Sequence, residues 1–188
     1  MKRQMLSGKI EEIIYARLEP GEDLLPALWD ICKENDVKTG ILLDATGSMN
    51  KVKVMRYPHE SQGGLGGINY VEIPGPLEVS AHGIIGMGWV PDQSVRPPPV
   101  WTRGGATGFG AAGFEAHESP YFHVHITVSS ASQTVCGHLM EGSPIDSLTH
   151  DGKADVPTHF TVAIAKASGI ILRAVFDKKG YYHELVRA

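Results

Sequence analysis

The chain is poor in cysteine: Cys32 and Cys136 are its only two in 188 residues. Two cysteines cannot staple a small secreted scaffold, so an apolar core must hold the fold, and a reducing, cytoplasmic setting is the expectation. Long apolar runs are also lacking. Nothing approaches the ~18 consecutive apolar residues that would span a bilayer. The first nine residues carry charge with no apolar segment after it, so no secretory signal is expected. Positive charge is not in excess either, with 17 Lys and Arg against 21 Asp and Glu, a net charge of −4. Duplex DNA binding draws most of its affinity from Lys and Arg neutralising phosphates, so direct DNA contact is doubtful on this balance. The short clusters Lys51-Val52-Lys53 and Lys178-Lys179 read as a solvated strand face and a turn.

What is present is enough apolar residue, 42% against 20% charged, to build one core over a single domain spanning 1–188. Residues 9–18 are β-rich and end at the turn Pro20-Gly21. Glu22 and Asp23 then open a helix, with Pro26 in its first turn, where a missing N–H costs little. Leu24, Leu25, Leu28, Ile31 and Cys32 recur at helical spacing as far as Asn35, which makes Cys32 a packing residue. Strands are expected at 37–46, 51–57, 69–73, 77–86, 121–128, 134–139, 158–165, 170–176 and 180–186, separated by Gly, Asn and Pro. One principal helix against a mainly antiparallel sheet is an α+β fold.

One stretch, 89–120, breaks the pattern. It holds Pro97-Pro98-Pro99 and a glycine-rich run from Gly104 to Gly113, and a loop this long in a compact domain is either functional or poorly ordered. Its Gly108-Phe109-Gly110-Ala111-Ala112-Gly113 formally matches G-x-G-x-x-G. That motif needs a strand before it and a helix after it. Here Pro120 and a strand follow within ten residues, so dinucleotide binding is rejected.

The informative pattern is His123-Val124-His125 followed by Gly137-His138-Leu139. Side chains two apart on a strand share a face, and residues 129–133 read as the turn that returns the chain. His138 can then reach the first two, if it pairs opposite His123 or His125 rather than Val124. Three converging imidazoles suit a divalent metal, with zinc first among them. Cys136, His159 and water are the candidates for a fourth ligand. The competing reading has the three histidines hydrogen-bonded within the core or across a subunit interface, without metal. Cys136 has its own bland role as a small buried hydrophobe. His59, His82, His117, His150 and His183 read as surface, loop or packing residues. Arg173 and Asp177 are expected to pair across the last hairpin.

These residues resemble a known family. Gly21-Glu22-Asp23-Leu24, Leu77-Glu78-Val79-Ser80 with Gly83, the H-x-H strand, Gly137-His138-Leu139-Met140-Glu141-Gly142, Leu172-Arg173, Asp177 and Gly180-Tyr181 together resemble the PPC (plants and prokaryotes conserved) domain. The likeness covers most of 10–186, in a stand-alone bacterial-type form, with 89–120 as an insertion. It implies an α+β fold assembled as a homotrimer, and it brings the DNA-binding label carried by many members. In plant relatives that contact is made by a separate AT-hook of Arg-Gly-Arg-Pro type, which this chain lacks; Arg96-Pro97 and Arg103-Gly104 are only fragments of one. Two departures stand out. Thr158-His159-Phe160 falls where the family carries a Thr-x-Glu element, preceded by twelve residues, 146–157, that look inserted. Cys136 stands where the family tends to have glycine.

Three function classes follow. The first is a non-enzymatic, metal-binding homotrimer acting as a regulatory or interaction module. The second is a metal-dependent, hydrolase-like enzyme in which three neutral imidazoles lower the pKa of a bound water. In that case 89–120 would close over a small-molecule ligand, and Arg96 or Arg103 would meet an anionic substrate. Direct DNA binding is the third. They rank in that order.

Overall fold

Alternation of apolar and polar residues at period two sets the architecture, because each strand buries one face and turns the other outward. The computed structural model describes residues 3–56, 69–92, 94–97, 120–150, 153–156 and 159–188, with the backbone alone over 148–150 and 153–156. The elements in chain order are β1 (Lys9–Leu18), α1 (Leu24–Glu34), β2 (Gly40–Arg56), β3 (Asn69–Trp89), β4 (Pro120–Ser129), β5 (Thr134–Leu139), β6 (Leu148–His150), β7 (Lys153–Val156), β8 (Phe160–Ser168), β9 (Ile170–Asp177) and β10 (Gly180–Arg187). Eight strands form one sheet in the order β1-β8-β2-β5-β4-β3-β9-β10, and β6 and β7 form a separate hairpin. A further pairing of β2 with β3 closes β2, β5, β4 and β3 into a ring. Every pairing is antiparallel except β3 with β9. The α+β expectation therefore holds, with one helix among the described residues.

The strands expected at 37–46 and 51–57 are one element, β2, and those at 69–73 and 77–86 are likewise one, β3. Breaks were expected at Asn50 and at Pro74-Gly75-Pro76, but irregular pairing absorbs both. The β2–β3 register shifts between the pairs Met49–Leu77 and Lys51–Pro74, so two residues of β3, Gly75 and Pro76, stand opposite the single residue Asn50 of β2. Gly75 approaches so closely there that a Cβ would sit 2.4 Å from the Asn50 carbonyl oxygen. The segment expected as an insertion, 146–157, contains the β6–β7 hairpin.

The helix packs Leu24, Leu25, Leu28, Trp29 and Cys32 into the core against Val124, Ile126, Phe160 and their neighbours. Full burial of a Leu such as Leu28 contributes about 1.5–3 kcal/mol. Burial also pushes the Cys32 thiol pKa up to about 12, in keeping with a packing role. The helix starts where Asp23 caps it, Oδ1 accepting from the Leu25 N–H at 3.4 Å, and it ends at Asn35. Oδ2 of the same carboxylate accepts from the backbone N–H groups of Gly142 and Ser143, at 2.5 and 3.3 Å. One side chain thus ties the helix start to the segment that follows β5.

Replacing Asp23 by Ala removes the cap and leaves the Gly142 and Ser143 donors short of an acceptor. It should cost about 2–3 kcal/mol in urea unfolding at fixed protein concentration. A loss below ~0.5 kcal/mol, within the range of an ordinary surface substitution, would show that the carboxylate does not join the two segments.

Candidate metal centre

The site is built on β4. Phe122, Val124, Ile126 and Val128 are buried in the core, so alternation turns His123, His125 and Thr127 to the opposite face. His125 lies directly opposite His138 of β5, which resolves the register question: the third imidazole shares the face of the first two. Gly83 makes room for this strand, since a Cβ at that position would lie 2.3 Å from the His123 carbonyl oxygen. On the other flank of β4, His82 of β3 stands opposite His125, and Ile84 opposite His123.

The ligand nitrogens of His123, His125 and His138 lie within 4.8 Å of one another. Nε2 of His123 and Nε2 of His125 are 3.2 Å apart. Two nitrogens at ~2.0–2.1 Å from a tetrahedral ion would be separated by about 3.3 Å, so this pair already has the span of two ligands. Bringing the third nitrogen from within 4.8 Å to the same span takes side-chain movement of up to about 1.5 Å. The three rings meet stacked or edge-on, with centroids 4.8–5.5 Å apart. The residues therefore fit a divalent ion, with all-nitrogen donors suited to zinc and its neighbours.

Neither proposed protein fourth ligand joins this group. Cys136 is exposed and faces Thr127, one step along the hairpin. His159 is exposed just before β8, with its carbonyl against Gly47. Of the other residues weighed in the sequence, Arg96 is exposed, whereas Arg103, His59, His117 and the glycine-rich run 104–113 lie outside the described residues.

A second layer stands beside the triad, and the sequence reading did not find it. The Tyr121 hydroxyl lies 3.3 Å from His123 Nδ1 and 2.9 Å from His183 Nε2, and it accepts from the Tyr181 hydroxyl at 2.5 Å. The Tyr181 hydroxyl is also 3.2 Å from His183 Nε2. Tyr121 was legible as part of a Tyr-x-His-x-His repeat on one strand face. His183, taken as a surface or packing residue, was not legible, because β10 is separated from β4 by β3 and β9 in the sheet order. The expected Arg173–Asp177 pair does not form as drawn. Arg173 stacks over Trp89 and pairs with Glu184, while Asp177 accepts from the Tyr182 hydroxyl and the Lys179 N–H.

Burial and crowding favour the neutral form of His123, His138 and His183. Desolvation, then the neighbouring His123 and His125, lower the pKa of His138 from 6.5 to about 3. Desolvation lowers those of His123 and His183 as well, with His125 and His183 adding to the effect on His123. Neutral imidazole is the form that ligates a metal.

These features place the chain in a class: a β-dominated α+β domain with an imidazole triad on the outward face of its sheet. Residues 5–98, half of the chain, match the Plants and Prokaryotes Conserved (PCC) domain, and the chain belongs to that family, the PPC domain of the sequence analysis. The matched residues end before β4, so the histidine strands lie beyond them. No curated protein matches the chain by sequence. Solved structures are similar along its whole length. A metal-containing protein from Archaeoglobus fulgidus superposes with a TM-score of 0.65 at 15% identity, over 98% of this chain and 100% of that one. A plant- and prokaryote-conserved protein from Pyrococcus horikoshii gives 0.62 at 16% identity, over 99% of each. A protein from Bacteroides thetaiotaomicron, named as a DNA-binding candidate, gives 0.59 at 13%, over 98% and 99%. At such identities the likeness is one of fold.

The lowered His138 pKa makes the stability of metal-free protein pH-dependent. Between pH 6.5 and about 3 the unfolded chain binds a proton at His138 that the folded chain does not. This contribution to stability is therefore whole above pH 6.5 and is lost progressively as pH falls through that window. Melting temperature measured with a chelator present should fall from pH 7 to pH 4, and less steeply in His138→Gln. Equal slopes for the two proteins would contradict this assignment.

Proposed function

We propose that this chain is a metal-binding, non-enzymatic member of its family that acts as a regulatory or interaction module, with a divalent ion, zinc in the first instance, held by His123, His125 and His138. The observation that carries the reading is the 3.2 Å approach of two imidazole Nε2 atoms, with a third imidazole directly across the ladder. The metal-containing description of the Archaeoglobus fulgidus relative points the same way. Water, rather than Cys136 or His159, completes the shell.

A homotrimer is part of the proposal, as the family resemblance implies. Support comes from the outward face of the sheet, where cross-strand pairing aligns Ile13, Ala165, Ile41, Ile84 and His123 in one row. Ile13 and Ile41 are 49% and 47% exposed, with Tyr15 and Leu43 exposed nearby. Apolar side chains gathered on one face are what an interface between copies would cover. Direct DNA contact is not part of the reading. The chain is acidic and has no AT-hook segment, so the DNA-binding description of relatives is not transferred to it. A cytoplasmic setting remains part of the proposal. Among the described residues no helix is long and apolar enough to cross a membrane.

Native mass spectrometry should show three chains carrying one ion each, and the ion should be lost from a folded His125→Ala protein. A monomer without metal sinks the reading.

A second reading is favoured by one feature: three protein ligands leave a coordination position open, as catalytic rather than structural zinc sites do. A zinc ion held there would lower the pKa of a bound water. The expected cover from 89–120 falls mainly on residues outside those described. This reading expects turnover in a broad screen of hydrolysable substrates, abolished in folded His125→Ala. Turnover that survives the substitution, or none at all in the zinc-loaded protein, counts against it.

A further inference from the structure

We propose that Tyr121 is a positioning residue for the histidine centre: its hydroxyl, oriented by Tyr181 and His183, accepts the Nδ1–H of His123 and so presents Nε2 of that ring to the ion. The inference rests on the metal reading above and adds to it the residues that set the proton arrangement of a ligand.

The argument is one of donors and acceptors. A neutral imidazole carries one N–H. Nε2 of His123 faces Nε2 of His125 at 3.2 Å. If both are to ligate, both lone pairs must point at the ion, and the His123 proton must sit on Nδ1. The atom beside Nδ1 is the Tyr121 hydroxyl oxygen, at 3.3 Å. That oxygen has two lone pairs and one hydrogen. Tyr181 donates to it at 2.5 Å and occupies one lone pair, and His123 Nδ1–H takes the other. The Tyr121 hydrogen is then directed at His183 Nε2, 2.9 Å away, which must be bare, with the His183 proton on its own Nδ1. Each hydrogen in the chain is used once, and the 3.2 Å contact of the Tyr181 hydroxyl with His183 Nε2 carries no hydrogen bond in this arrangement.

Without an ion, the opposite wiring is equally complete. His123 donates from Nε2 to His125, Tyr121 donates to His123 Nδ1, and His183 donates from Nε2 to Tyr121. Ion binding selects between the two arrangements, so the tautomer of His183 reports on a centre that it does not ligate. The phenol is well placed to enforce this. Tyr121 is 1% exposed, is packed edge-on against the His183 ring with centroids 5.4 Å apart, and lies two residues from His123 on the same strand face. A hydrogen-bond partner held in this way fixes the ring orientation and tautomer of a metal-ligating histidine, and removing such a partner typically weakens metal binding about 10–100-fold.

The test compares zinc affinity, by competition with a chromophoric chelator, for the wild-type protein, Tyr121→Phe and Tyr181→Phe. Long-range 1H–15N imidazole spectra of the zinc-loaded wild type accompany it. Tyr121→Phe should bind zinc about 10–100-fold more weakly and Tyr181→Phe more weakly by a smaller factor, both with wild-type melting and oligomeric state. The spectra should show His183 protonated at Nδ1. Affinity of Tyr121→Phe within about twofold of wild type, or His183 protonated at Nε2 in the zinc-loaded protein, overturns the inference. If Tyr121→Phe does not fold, the Tyr181→Phe affinity and the wild-type spectra still decide. A wild-type protein that binds no zinc removes the metal reading itself, and that outcome is read from the wild-type arm alone.

Discussion

The register of β4 between β3 and β5 is the constraint on which the site depends. Burial of Phe122, Val124, Ile126 and Val128 leaves the strand one choice of face, and that choice turns His123 and His125 outward. The same register sets His125 opposite His138 on one side and His82 on the other. A slip by one residue would bury the imidazoles and expose Val124, at the cost of several fully buried apolar side chains. Core packing and ligand geometry are therefore two results of one alignment.

The ring of β2, β3, β4 and β5 makes that alignment hard to change, because each member is held on both sides. Asp23 adds a tie at one end, joining the start of the helix to the chain that leaves β5. The β9–β10 hairpin then brings Tyr181 and His183 to the Tyr121 hydroxyl. His123 and His138 end up crowded and partly buried, and that environment favours their neutral form. Protonation is disfavoured for the same reason that ligation is favoured: the rings have been taken partly out of water and placed beside one another.

Much of this was legible in the chain. The bounds of β1 and β5 agree with the periodicity, Asp23 begins the helix and Asn35 ends it, and the H-x-H spacing puts two imidazoles on one face wherever the strand lies. The misread segments share a cause. Asn50 and the Pro74-Gly75-Pro76 run look like breaks locally, yet a ladder with a bulge carries the strands past them. Arg173 was expected to meet Asp177 across the last hairpin, but both lie on β9, and the residue opposite Arg173 is Glu184.

By itself the sequence determined most of the elements, the face each presents and the sharing of one face by His123 and His125, because these follow from periods of 2 and 3.6 within single segments. Only the tertiary structure decided that His138 meets His125 rather than Val124, that Cys136 and His159 stand apart, and that Tyr121, Tyr181 and His183 form the layer behind the triad. Those outcomes depend on ladder register and on how far the sheet curls, which are set by packing summed over many strands and are not encoded in any one of them.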